Sequence, residues 1–246
     1  MTVRLGSAAA TLLAAAAVVA STSGGAAAAP AAGTGAKIVH LTFDDGPDPR
    51  WTPKVLDLLR RYDAHATFFV VGTAVESNPA LARRIVRDGH LLGNHTYSHV
   101  ALPTLPSSRF LLELDATAAA IRRITHTTPR WLRPPYGAID ARTRALAGSR
   151  GYRVALWDVD PQDWRRPGSA AIAAHVVSRA RPGGTVLLHD GGGDRSQTLA
   201  ALGEILATLS ARGYSFRPLG RAKGAAAPAA APSTRRARRT ERRSRT

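Results

Sequence analysis

Between Lys37 and Leu219 the chain alternates short strand-like apolar runs with longer stretches whose apolar positions recur every three or four residues. "KIVHLTF" (Lys37–Phe43), "ATFFVV" (Ala66–Val71), "YRVALW" (Tyr152–Trp157) and "GTVLLHD" (Gly184–Asp190) read as strands. Helical spacing marks "TPKVLDLLRRY" (Thr52–Tyr62), where Pro53 sits at an early helical position. It also marks "NPALARRIVRDG" (Asn78–Gly89), with an Asn cap, a Pro in the first turn and a terminal Gly. A longer capped helix follows over Ser107–Ile124, another near Ser169–Ala180, and a last one over Ser196–Arg212 ahead of "YSFRPL" (Tyr214–Leu219). No internal repeat is evident.

Strand-then-helix alternation predicts an α/β fold, a largely parallel sheet covered by helices, open or closed into a barrel. Such folds collect their chemistry in the loops at the carboxyl ends of the strands. Unusual polar residues do fall there: Asp44-Asp45 after the first strand, Asp160, Asp163 and Trp164 after "YRVALWDV", and His189-Asp190 at the end of "GTVLLHD".

Composition bounds the setting. The chain has 246 residues, 44% hydrophobic, with a net charge of +17. Residues 221–246 hold nine basic side chains against Glu241 alone, and Arg4 is the only charge in residues 1–36, so residues 37–220 carry +8. The tail "RAKGAAAPAAAPSTRRARRTERRSRT" lacks apolar periodicity and is expected to be disordered, able to grip an anionic cell-wall polymer or simply to solvate the chain. Nucleic acid is not expected, because no recognition motif or interleaved aromatics accompany the arginines. With no cysteine there is no disulfide, Cys-ligated zinc or Cys nucleophile. At the other end, "SAAATLLAAAAVVA" (Ser7–Ala20) and the "AAAAPAAG" that follows predict a signal peptide too short to span a bilayer. A three-part chain is expected: leader 1–36, one domain 37–220, basic tail 221–246. The mature protein is expected to carry no transmembrane segment, to be secreted or wall-associated, and to be a monomer.

"GNHTYSHV" (Gly93–Val100) spaces His95 and His99 at i and i+4, which on a helical turn would put both imidazoles on one face. Alone that pair is a weak signal. Joined by one strand-end aspartate it offers a divalent ion three ligands and open positions for water. An ion held there lowers the pKa of its water toward about 7. On extended backbone Asp44 and Asp45 would point in opposite directions, so one could ligate the ion while the other takes a proton. In "WLRPPYGAID" (Trp131–Asp140), two prolines stiffen a loop in which the Arg133 fork suits a carboxylate. Trp164, beside Asp163 in "DVDPQDW", could serve as a platform for a sugar, and His189 as a general acid.

In this order, "TFDDGP", "HTYSH", "RPPYG", "DPQDW" and "LLHD" resemble the five motifs of the polysaccharide deacetylases (carbohydrate esterase family 4, the NodB homology domain), from about Lys37 to Leu219. The resemblance implies a deformed (β/α) barrel of parallel strands with outer helices, and metal-dependent removal of acetyl groups from a carbohydrate. It implies Asp44 as general base; Asp45, His95 and His99 as ligands of one divalent ion, zinc or cobalt; and His189 as general acid. Arg133 would orient Asp44 and Asp163 would hold His189. The Tyr136 backbone N–H would stabilise the oxyanion, while Trp164 and Leu187 line the groove around the acetyl methyl. No motif residue is replaced. "GGGDRSQT" (Gly191–Thr198) resembles bacterial members too, without an assigned role.

The leading expectation is an exported deacetylase of an N-acetylglucosamine polymer, chitin-type or peptidoglycan. An O-deacetylase of acetylated xylan is the alternative within the family. Two histidines and a carboxylate also describe a non-haem iron oxygenase, but Arg133, Asp163 and His189 are the proton-transfer partners that hydrolysis needs. A non-catalytic wall-binding module is the remaining class.

Overall fold

The computed structural model describes residues 37–220, so the expected leader and basic tail lie outside the described residues. Seven strands, all parallel, make one sheet: β1 (Lys37–Asp44), β2 (Thr67–Val70), β3 (Leu91–Asn94), β4 (Trp131–Leu132), β5 (Arg153–Val154), β6 (Thr185–His189) and β7 (Tyr214–Phe216). The hydrogen-bonded order is β5-β4-β3-β2-β1-β6, with β7 added to β1. β1 is the longest strand because it serves three neighbours, β7 along Lys37–Val39, β6 along His40–Asp44 and β2 along Thr42–Asp44. Past β5 the chain returns to β6 through a bridge between Val159 and Val186, joining the two ends of the sheet into an irregular barrel. The expected barrel of parallel strands and outer helices is therefore what forms.

Among the described residues, seven α-helices cover the sheet: α1 (Thr52–Arg61), α2 (Gly72–Ser77), α3 (Pro79–Arg87), α4 (Ser107–Thr125), α5 (Ala141–Ser149), α6 (Ser169–Arg179) and α7 (Ser196–Ala211). The pleat sorts side chains between two sides. Val39, Leu41 and Phe43 of β1, Phe68 and Val70 of β2, and Val186 and Leu188 of β6 meet the helices in the main core. α1 adds Val55, Leu56 and Leu59, and α7 adds Ala201, Leu202, Ile205, Leu206 and Leu209, one apolar stripe each. Truncating Leu41 or Phe68 to Ala in this core costs about 2–5 kcal/mol. The intervening residues, Thr42 and Asp44 on β1, Phe69 on β2, and Leu187 and His189 on β6, stay out of that cluster and face the barrel interior.

Several local expectations are corrected. The Asn78 side chain does not cap α3; its amide donates to the carbonyls of Pro47 and Ala74 and ties the helix start to the β1 loop. α4 likewise starts after Pro106 without a side-chain cap. The strand expected over Tyr152–Trp157 shrinks to two residues, because its remainder turns aside to meet Arg133 and β6. α2, α5, β3 and β4 are additional elements.

Candidate active site

The barrel interior is organised around Arg133, which has no solvent exposure. From the loop after β4 it donates through Nη1 to Thr42 Oγ1 at 2.7 Å and Asp44 Oδ1 at 2.8 Å. Nε donates to the Ala155 carbonyl at 3.2 Å and Nη2 to that of Leu156 at 3.1 Å. Its plane lies 4.2 Å over the Phe69 ring and 5.5 Å from that of Trp157. Burial draws its pKa below the ordinary value, opposed by Asp44, and the guanidinium remains charged. Oδ1 of Asp44 is thus occupied from below while Oδ2 points to His95 Nε2 at 3.7 Å.

Asp45, His95 and His99 converge beside it, each offering one ligand atom within 4.8 Å of the others. Asp45 Oδ1 lies 3.1 Å from His99 Nε2 and 3.5 Å from His95 Nε2. Ligand atoms of a tetrahedral ion with bonds of about 2.0–2.1 Å stand about 3.3 Å apart, so these separations suit one small divalent ion. The Asp45 Oδ1 atom is buried and has no hydrogen bond, as an oxygen reserved for an ion should be. His95 Nδ1 sits 2.7 Å from the Arg133 carbonyl, which can only accept, so Nδ1 holds a proton and Nε2 is the nitrogen left to face an ion. Burial raises the Asp45 pKa, but the close approach of the His95 and His99 rings outweighs that and holds it far below the carboxylate range.

Two expectations change here. Asp45 is not on extended backbone: its φ of 74° swings it out of β1, and both aspartates approach His95. The histidines are not on a helical turn either. They follow β3 in an irregular loop with Thr96 at φ 67° and His99 at φ 57°, and their rings meet edge-on at 5.1 Å.

The opposite wall is His189, whose Nδ1 is 2.7 Å from Asp163 Oδ1. Asp163 Oδ2 accepts from the His189 backbone N–H at 2.9 Å and from Thr198 Oγ1 at 2.8 Å. Burial lowers the His189 pKa, yet the Asp163 bond and the Asp44 and Asp45 charges carry it above the ordinary value. Tyr136 and Trp164 stand at the mouth, 72% and 47% exposed, with the Tyr136 ring edge-on to His99 at 5.0 Å. Tyr136 has φ 61°, and its short turn is closed by the N–H groups of Gly137 and Ala138, leaving its own N–H out of those bonds. Leu187 is buried, in register with Thr42 as His189 is with Asp44. Asp160 bonds the Gln162 N–H within its own loop instead of joining this group. Asp190 is buried beneath Gly46, its pKa pushed up to about 7 by burial against the Thr52 hydrogen bond that lowers it.

The "GGGDRSQT" stretch acquires contacts. Arg195, 6% exposed, donates to the carbonyls of Gly191 and Gly192 and places Nη2 4.0 Å from Asp45 Oδ2. A Cβ on Gly192 would lie 2.5 Å from that oxygen. Thr42 and Thr198 were likewise absent from the expected site. The available signal for Thr42 was its two-residue offset from Asp44 on one strand; nothing local marks Thr198.

The family model described as polysaccharide deacetylase matches residues 31–155. A peptidoglycan-N-acetylglucosamine deacetylase of Bacillus cereus is 45% identical over 183 residues, 73% of this chain and 85% of that protein. A chitooligosaccharide deacetylase of a Bradyrhizobium species is 40% identical over 198 residues, covering 76% and 90%. Among solved structures, a family 4 carbohydrate esterase from Streptomyces lividans in complex with acetate superposes with a TM-score of 0.69 at 36% identity, covering 73% of this chain and 91% of that one.

Proposed function

The chain belongs to the polysaccharide deacetylase family, and on that premise we propose that it is a metal-dependent hydrolase removing N-acetyl groups from an N-acetylglucosamine polymer, peptidoglycan or chitin-type. The observation that carries this reading is the placement of Asp44, fixed by Arg133, on one side of the Asp45–His95–His99 group, together with His189 held by Asp163 on β6, the strand paired with β1. Asp45, His95 and His99 would hold one divalent ion, zinc or cobalt, which would supply a Lewis acid for the acetyl carbonyl and lower the pKa of bound water.

Asp44 accepts the proton of the attacking water at Oδ2, the oxygen Arg133 leaves free. Arg133 keeps that carboxylate in one rotamer through its bonds to Thr42 and two carbonyls. The N–H of Tyr136 stabilises negative charge developing on the carbonyl oxygen. His189, kept in one tautomer with its Nδ1 on Asp163, delivers a proton from Nε2 to the departing amine nitrogen, which makes that nitrogen a viable leaving group. Trp164 offers a flat apolar face at the mouth for a sugar ring, and Leu187 lines the acetyl pocket.

Export and wall association are part of the proposal. The Ala-rich leader and the +8 tail, both outside the described residues, suit an enzyme sent to an anionic envelope. Acetate release from peptidoglycan, chitooligosaccharides and acetylated xylan, after chelation and with zinc or cobalt restored, tests the function. Release from the first two with restored metal is expected. Release from xylan alone would make the enzyme an O-deacetylase, and no release at all would leave a binding module.

A further inference from the structure

The loop between the two histidines is secured almost entirely through its backbone. Thr96 and His99 hold left-handed φ values, which are strained for non-glycine residues, so the loop relaxes unless its surroundings hold it. The Thr96 N–H is taken by Asn94 Oδ1 at 2.9 Å, and the carbonyls of Thr96 and Tyr97 accept from the N–H groups of Gly72 and Thr73 at 3.0 and 3.1 Å. Three further donors go to one side chain on α4. Glu113 Oε2 accepts from the N–H groups of Tyr97 and Ser98, both at 2.8 Å, and Oε1 accepts from Ser98 Oγ at 2.8 Å. The next residue on that helix, Leu114, receives Asn94 Nδ2 on its carbonyl at 2.9 Å, so α4 grips the loop at adjacent positions. Tyr97 is also fixed at its hydroxyl, which donates to Glu76 Oε2 at 2.8 Å.

We propose that Glu113 is a positioning residue for the metal site: through Tyr97 and Ser98 it sets the spacing and direction of the His95 and His99 rings, touching neither ring itself. This rests on the reading of Asp45, His95 and His99 as metal ligands. A carboxylate accepting backbone N–H bonds is a stronger anchor than a neutral acceptor. It preorganises two ligands that lie only four residues apart in a loop with no helix to space them. Ligand-orienting groups of this kind typically change metal affinity or activity 10–100-fold when removed.

The test is binding of Co²⁺ and Zn²⁺ to the metal-free full chain, followed by cobalt absorption and chelator competition, alongside thermal melting of the same metal-free samples. Glu113→Ala is expected to bind about 10–100-fold more weakly and to change the cobalt spectrum. Glu113→Gln, which keeps one oxygen for the two amides and can turn its NH₂ toward Ser98 Oγ, should recover most of the loss. If Glu113→Ala does not fold, Glu113→Asp carries the same expectation, because its carboxylate is one methylene too short to reach all three donors. Wild-type metal affinity and spectrum in a folded Glu113→Ala or Glu113→Asp protein, with only the melting temperature lowered, overturns the proposal. Failure of the unaltered chain to bind either metal removes the metal reading itself, an outcome separate from equal binding by chain and variant.

Discussion

Arg133 Nη1 lies 2.8 Å from Asp44 Oδ1 in a pair whose side chains are 0% and 4% exposed. Removing one partner of a buried pair strands the other charge, at about 3–5 kcal/mol. Arg133→Ala should therefore lower stability by that amount in denaturant titration. Arg133→Lys keeps the charge but has no planar fork to serve Thr42, Asp44, Ala155 and Leu156 together. It should fold and turn over at a small fraction of the normal rate. A Lys variant with unchanged kcat/KM would contradict the orienting role.

The charge of Asp163 helps hold the His189 pKa above its ordinary value. Asp163→Asn withdraws that charge, so His189 loses its proton at a lower pH and the alkaline limb of the kcat/KM profile should move toward acid. An accompanying loss on the order of 10²-fold is expected from weakened proton delivery. An alkaline limb that stays in place would separate His189 from the acid step.

Gly192 has φ 70°, and any Cβ there presses on Asp45 Oδ2. Gly192→Ala should reduce metal affinity by about tenfold or more through displacement of that carboxylate. Gly203 in α7, with open space around its Cβ position, is the control: Gly203→Ala should leave metal affinity unchanged and raise stability by up to about 1 kcal/mol.

His90 is nearly buried, and its Nδ1 accepts the Ala66 N–H at 3.1 Å. Burial, with the neighbouring His65, lowers its pKa from 6.5 to about 4. The unfolded chain therefore binds a proton that the folded chain refuses between those values. The stability this represents is present above pH 6.5 and is lost as pH falls through 4, about 3 kcal/mol in all. Between pH 7 and pH 5 the unfolding free energy should drop by about 2 kcal/mol from this residue. His90→Gln, which can still accept the amide, should remove that part of the slope.

What the sequence reveals depends on how far each signal extends. β1, β2 and β6 are legible because their apolar runs are bounded by turn residues. α1, α4 and α7 are legible because their buried stripes recur over successive turns. β4 and β5 are two residues long, and β3 contains Gly93 and Asn94, so their pairing is decided by neighbours that periodicity cannot see. The site residues are legible as types at strand ends. Their geometry is not, because the left-handed turns at Asp45, Thr96 and His99 are imposed by contacts from β6, α2 and α4. Glu113 and Arg195 escape notice for the same reason: a Glu inside an amphipathic helix and an Arg at a helix start look like ordinary surface residues until the fold brings them to the loop and to Asp45.

In the proposed mechanism the two adjacent aspartates do different work, Asp45 holding an ion and Asp44 moving a proton. Acetate release by Asp44→Asn, with bound metal quantified in the same sample, tests it most directly. Metal content should equal that of the unaltered chain while kcat falls by about 10²–10⁴-fold. A fully metallated Asp44→Asn enzyme that deacetylates at the normal rate would contradict the account.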